Sequence, residues 1–138
     1  MLHTLTISTH GRGLYRFDDQ VQALLTEHGA VQGLVTVFVR HTSASLVIQE
    51  NADPDVLGDL ERFFRQLVPD GDTLEGRALY RHTEEGPDDM PAHIRAALTA
   101  TSLGIPFDAG RLLLGTWQGL FLWEHRHAPH QRQVVVHL

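Results

Sequence analysis

Residues 33–42, GLVTVFVRHT, decide the fold class. β-Branched and aromatic residues fill this stretch and alternate: Val35, Val37, Val39 and His41 fall on one face, Thr36, Phe38 and Arg40 on the other. The pattern predicts a central strand whose inner face ends on a histidine. Before it, Leu5 and Ile7 alternate with Thr4, Thr6 and Ser8 as a first strand. The turn Gly11-Arg12-Gly13 joins that strand to a second over Leu14–Phe17, so a hairpin is expected to open the chain. Asp18 or Asp19 then caps a helix with Val21, Leu24, Leu25 and His28 on its apolar face, stopped by Gly29.

After His41 come the small residues Thr42, Ser43, Ala44 and Ser45, a further extended run over Leu46–Ile48, and the polar end Gln49, Glu50, Asn51. Asp53-Pro54 starts a helix whose apolar residues Val56, Leu57, Leu60, Phe63, Phe64 and Leu67 keep a 3.6-residue period, with Glu61 and Arg65 as an i,i+4 pair on the wet side. Pro69 and Gly71 stop it. Ala78–His82 is expected to be a short strand. Pro91 opens a helix with Ile94, Ala97 and Leu98 inward. Arg111–Leu114 and Leu120–Arg126 read as a hairpin around GTWQG, in which Trp117 packs and Gln118 either orients substrate or satisfies the loop, and Gln133–Leu138 forms the last strand. No repeat or linker interrupts residues 1–138, so one α+β domain is expected.

Composition excludes several classes. With 138 residues and an apolar share of 42%, the chain has material for a core. A net charge of -6 argues against a nucleic-acid partner. No cysteine is present, which removes disulfides and thiolate-bound zinc and fits a reducing compartment. No apolar run reaches the roughly 20 residues that span a bilayer, and the first residues lack a signal-peptide pattern. A cytoplasmic protein is the expectation. Ten histidines stand against 11 Lys+Arg, a high share of the commonest metal ligand.

The second informative stretch is residues 80–95, YRHTEEGPDDMPAHIR, in which His82 and His93 flank a loop carrying Glu84, Glu85, Asp88 and Asp89. His41, His82 and His93 all stand at element edges beside loops, as three imidazole ligands of a zinc ion with an open fourth position would. Their separations match no short zinc motif, so spacing alone leaves unrelated histidines as the simpler account. Asp53, Asp88 and Asp89 are explained as helix caps. Glu124 alternates in phase with Leu120 and Leu122 and must point inward, as an acid/base group or as the structural partner of Arg126. Thr42, Ser43 and Ser45 with nearby amides are candidates to hold an anion, with Asn51 and Gln118 beside them.

HTSASLVIQENADPDV, YRHTEEGPDDMPAHI and LGTWQGLFLWEHR, in this order, resemble the YjbQ-like family, also called the secondary thiamine-phosphate synthase family. The resemblance spans nearly the whole chain, apart from an end at VVVHL without the glycine expected of relatives. It implies an α+β fold built as a mixed β-sandwich with flanking helices, a homotrimer, and a divalent metal, zinc, held by His41, His82 and His93. The implied activity joins hydroxymethylpyrimidine diphosphate to thiazole phosphate with release of diphosphate. In that reaction the metal and Arg126 are expected to stabilise the leaving charge and Glu124 to move a proton. Two alternatives stay open: a metal-dependent hydrolase of a small phosphorylated metabolite, and a non-catalytic trimer stapled by its metal.

Overall fold

The computed structural model describes residues 1–138. The elements run β1 (Leu2–Thr9), β2 (Gly13–Arg16), α1 (Asp18–Glu27), β3 (Gly33–Val39), β4 (Ala44–Glu50), α2 (Pro54–Leu67), α3 (Asp89–Leu98), β5 (Ser102–Asp108), β6 (Arg111–Leu112), β7 (Gln118–Glu124) and β8 (His130–His137). They form two antiparallel sheets, a five-stranded one in the order β1-β8-β3-β5-β6 and a three-stranded one in the order β2-β7-β4. The α+β sandwich with three helices is thus present, and β3 is the central strand of its sheet. Val35, Val37 and Val39 join Val134 and Val136 of β8 and Leu46, Leu120 and Leu122 of the smaller sheet in one core. Each such fully buried side chain contributes about 1.5–3 kcal/mol.

β7 is covered on both faces. Leu120, Leu122 and Glu124 face the core, while Trp123 on the other side meets Phe64 of α2 edge to face at 4.8 Å, beneath Arg95 of α3. Residues 119–125 are therefore buried without alternation, as expected of a strand packed on both sides.

Several local expectations are corrected. β1 and β2 do not pair as a hairpin: β1 joins β8 and β2 joins β7, so the turn at Gly11–Gly13 carries the chain from one sheet to the other. β6 and β7 likewise part, β6 pairing with β5 and β7 running between β2 and β4. Turn residues reverse a chain without specifying which strand it then joins. Residues 78–82 form a turn and irregular backbone rather than a strand. In α1, Asp18 makes no side-chain cap; it accepts from Arg16 and from the Leu120 amide. Gly29 does take the left-handed φ of 61° expected at a helix end.

Asp53 caps α2 as expected, accepting from the Asp55 amide at 2.9 Å. Yet the apolar stripe of α2 is only partly covered, with Phe63 60% and Leu67 54% exposed. α3 is rotated from its expected phase. Ala92, Arg95 and Ala96 are buried while Ala97 and Leu98 face out. A periodic pattern fixes which residues share a face, but here the inward face carries a charge and the expected apolar face does not. Trp117, expected to pack, is exposed.

Candidate functional site

The end of β7 and the residues after it, Trp123 to His127, tie the chemistry-bearing side chains together. Trp123 Nε1 donates to Glu61 at 3.0 Å. Glu124 binds Arg132. His125 Nε2 meets Ser45 Oγ at 2.8 Å. Arg126 holds Asp88 and Asp89. His127 meets Asp70 at 2.8 Å through its ring and donates its amide to Asp88, also at 2.8 Å. Extended backbone sends successive side chains to opposite sides, so these few residues reach the core, both helices and the acidic loop.

The inward member is Glu124, fully buried between the sheets. It accepts from Arg132 Nε at 2.8 Å and also from Arg132 Nη2, from Thr9 Oγ1 at 2.6 Å, and from the amides of His125 and Arg126 at 3.1 and 3.2 Å. Burial pushes its carboxyl upward, but the Arg132 and Thr9 hydrogen bonds and the Arg132 charge outweigh that and hold it below the ordinary range. The expected Glu124–Arg126 pair is corrected: Glu124 pairs with Arg132. A carboxylate with both oxygens engaged and no solvent contact cannot trade protons with a substrate, so the acid/base role is withdrawn. Arg132 is in phase with Val134 and Val136 on β8, so a period-2 reading turns it inward as well, without saying which inward charge it meets.

The outward member is Arg126. Its Nε lies 3.0 Å from Asp88 Oδ2, its Nη1 2.7 Å from Asp89 Oδ1, and its Nη2 donates to the Glu85 carbonyl at 2.9 Å. Three oxygen partners engage all three nitrogens of this guanidinium, so Arg126 positions the acidic loop. The loop fits closely. Gly86 has a φ of 104°, and a Cβ there would sit 3.2 Å from Asp88 Oδ1. Asp88, at the N-cap position of α3, and Asp89, its first residue, are expected as helix caps, but Asp88 makes no side-chain cap bond and both carboxylates hold this guanidinium.

Asp89 presents its other oxygen to two histidines. Oδ2 lies 2.6 Å from His82 Nε2 and 3.1 Å from His93 Nε2, and the two rings are 5.6 Å apart. Burial raises the Asp89 carboxyl, but the His82 hydrogen bond, the Arg126 charge and His93 together leave it below its ordinary value. His93 Nδ1 lies 3.1 Å from the Thr42 carbonyl, which can only accept. Asp89 Oδ2 at Nε2 is an acceptor too, so with no cation both ring nitrogens face acceptors; a cation at Nε2 would require the proton on Nδ1, where the Thr42 carbonyl accepts it. The three ligand atoms lie within 4.8 Å of one another. Two imidazoles and a carboxylate, with an arginine behind the carboxylate and a carbonyl behind one imidazole, suit a zinc-like divalent cation.

His41 does not join them. Its Nε2 accepts the Gln133 amide of β8 at 2.9 Å, and burial, with Arg132 nearby, lowers its affinity for protons. Asp89 takes the place expected of His41. The spacing Asp89–His93, i to i+4 on one face of α3, is the sequence signal that would have revealed it.

The expected anion holders are mostly committed inside the fold. Ser43 accepts from Arg132, and Ser45 is buried against His125. Asn51 Nδ2 donates to the carbonyls of Thr116 and Gln118, each at 3.0 Å, and Gln118 Oε1 accepts the Gly115 amide at 2.7 Å. These two side chains clasp the loop over residues 115–118. Thr42 is exposed, on the rim of a cleft of about 560 Å³ shared with Phe38, Arg40, His41 and Thr101. Arg40 is the cation of that cleft, with one long 3.4 Å contact to Gln133. Thr42 joins the cleft to the histidine cluster through His93.

With this geometry in view, the comparisons with known proteins are decisive. The family model described as UPF0047 protein YjbQ-like matches residues 3–138. The chain belongs to the YjbQ-like UPF0047 family. A UPF0047 protein of Synechocystis sp. is 63% identical over 134 residues, covering 97% of this chain and 88% of that one. UPF0047 protein YjbQ of Escherichia coli O157:H7 is 42% identical over 136 residues, covering 98% and 94%. Among solved structures, a conserved hypothetical protein of Thermus thermophilus superposes with a TM-score of 0.84 at 37% identity over 99% of this chain and 98% of that one. A hypothetical protein of Aeropyrum pernix K1 superposes with a TM-score of 0.86 at 29% identity, over 99% and 96%. The YjbQ-like fold is therefore shared in full. No helix of this YjbQ-like chain is long and apolar enough to cross a membrane.

Proposed function

We propose that this YjbQ-like protein binds one divalent cation, zinc, at His82, Asp89 and His93 and acts as a transferase of the thiamine-phosphate synthase type. The single observation that carries the reading is Asp89 Oδ2 lying between two imidazole nitrogens while Arg126 holds Oδ1. When bound, the cation would supply positive charge to a departing diphosphate. The chain's own parts are then distinct. Arg126 fixes the direction of Asp89, the Thr42 carbonyl would accept the Nδ1 proton of a metal-bound His93, and Arg40 and Thr42 offer a phosphorylated substrate a charge and a hydroxyl in the adjoining cleft.

The competing reading is a metal that only fastens the fold. It is favoured by the run from Val68 to Asp88, which contains no helix or strand and which His82 would tether to α3. One experiment separates the two. Purified protein is given both thiamine precursors, and thiamine phosphate and metal content are followed together. Transferase action requires product from the wild type and none from Asp89→Asn. Full metal occupancy with no product supports the fastener, and no metal at all removes both.

The proposal extends to a homotrimer in the cytoplasm. It is supported by exposed Leu34 and Phe38 on the outer face of the five-stranded sheet and by the open stripe of α2. Light scattering should give about three times 15.5 kDa.

A further inference from the structure

β3 pairs with β8 as far as Val39, opposite Val134. Beyond it the Arg40 amide still donates to the Gln133 carbonyl at 3.2 Å, but the Gln133 amide turns to a side chain and donates to His41 Nε2 at 2.9 Å. An amide N–H only donates, so Nε2 presents its lone pair and the proton of the neutral ring sits on Nδ1. A second proton would set N–H against N–H. Burial, with the charges of Arg132, His130 and Arg40, also opposes it and outweighs the pull of Glu124. Nδ1 donates to no group of the chain, and unlike Nδ1 of buried His125 it is open to solvent.

The His41 ring lines the cleft of about 560 Å³ at the end of β3, a volume within the roughly 300–1,000 Å³ of small-molecule sites. No carboxylate lines this cleft, and Arg40 gives it a positive charge. Two exposed threonines supply further donors. Thr42 and Thr101 lend the chain only their carbonyls, to His93 and to the Val39 amide, and keep their hydroxyls free. A cation, two hydroxyls and a fixed imidazole N–H, with no competing anion, suit the oxygens of a phosphoryl group.

We propose that His41 is the specificity-determining donor of this cleft: its neutral Nδ1–H binds one oxygen of a phosphoryl group that Arg40 and the Thr42 and Thr101 hydroxyls also face. This rests on the reading above that the cleft takes a phosphorylated substrate, and it assigns His41 a part there. Two other parts are closed to the ring. Its one lone pair is taken by the Gln133 amide, so it is neither a metal ligand nor a base. A ligand bringing an N–H or a cation to this point would meet a second donor and be rejected. The ring offers the same hydrogen bond on either side of about pH 6.5, where an ordinary imidazole changes charge.

The test uses full-length nitrogen-15-labelled protein with EDTA present, so that no metal at the histidine cluster can hold the anion. NMR should show His41 as the Nδ1–H tautomer between about pH 8 and 5.5, a span that contains the ordinary imidazole pKa. Inorganic phosphate, titrated at constant ionic strength in chloride, should shift the Nδ1–H signal saturably. Two variants divide the ring. His41→Gln places an oxygen near Nε2 and nothing at Nδ1; it should keep the Gln133 amide bonded and weaken phosphate binding about tenfold, the loss for one hydrogen bond to a charged group. His41→Asn places an N–H near Nδ1 and should restore affinity to within about threefold. A proton on Nε2, or a charged ring at pH 7, overturns the proposal. So does the lack of a saturable shift up to about 50 mM, well beyond millimolar affinity. His41→Gln binding as tightly as the wild type, or His41→Asn as weakly as His41→Gln, overturns it equally. None of these readouts requires metal or thiamine phosphate, so failure of the transferase reading leaves them untouched.

Discussion

Glu124 and Asp89 are both carboxylates held by an arginine, and both are placed by residues 124–126, yet they have opposite uses. Glu124 lies between the sheets and receives five hydrogen bonds, two of them from Arg132. Asp89 lies at the rim, gives one oxygen to Arg126, and turns the other to His82 and His93. In the first every lone pair is matched by a fixed donor. In the second the partners are imidazoles, which can give up a proton and bind a cation instead. A saturated carboxylate is a structural element; one facing exchangeable partners is a candidate site.

Removing Arg132 should give the largest effect. Arg132→Met leaves the Glu124 charge buried and unpaired and should cost about 3–5 kcal/mol in urea unfolding. Asp89→Asn should leave the unfolding midpoint close to wild type. Equal losses in the two variants would erase the distinction between the regions.

Acid should weaken the inner region through His125. Burial, with Arg95, Arg12 and Arg132 nearby, pushes its pKa down to about 2, so the folded ring stays neutral. The unfolded chain takes up a proton below about 6.5. This contribution is therefore complete above that pH and is lost as pH falls toward 2. His125→Gln should remove a slope of about 1.4 kcal/mol per pH unit between pH 6 and 4. Glu124, Asp70, Asp88 and Asp89, all depressed, add their losses only below the ordinary carboxylate range. An unchanged slope in His125→Gln would show that the ring is not buried neutral.

At the rim the readout is metal affinity. His82→Ala or Asp89→Asn should lower zinc affinity by about 100-fold or more in competition titrations, as expected for loss of a ligand. Arg126→Gln, which leaves all three ligands in place, should lower it by about 10- to 100-fold. If Arg126→Gln proves as severe as Asp89→Asn, the arginine is holding the loop together and not merely aiming the carboxylate. The smallest effect belongs to neither region: Asp53→Ala should cost about 1 kcal/mol through its helix cap and leave metal affinity untouched.

What the sequence determined by itself was local: strong alternation, helix starts and stops, though not the inward face of α3. The alternation at Val35, Val37 and Val39 made a central strand, Asp53-Pro54 started a helix, Gly29 ended one, and the phase of Leu120 and Leu122 turned Glu124 inward. His82 and His93 were legible because they bracket a loop crowded with carboxylates. Partnership was decided only by tertiary structure. Glu124 chose Arg132 over the near neighbour Arg126, Asp89 rather than His41 came to lie beside His82 and His93, Glu61 took Arg95 from another helix in preference to Arg65, and the two apparent hairpins split between sheets. The physical reason is that dihedral preference and side-chain phase act over a few residues, whereas an ion pair or ligand set depends on which distant strands lie side by side. That choice is made by the burial of the whole core, and no local window of sequence contains it.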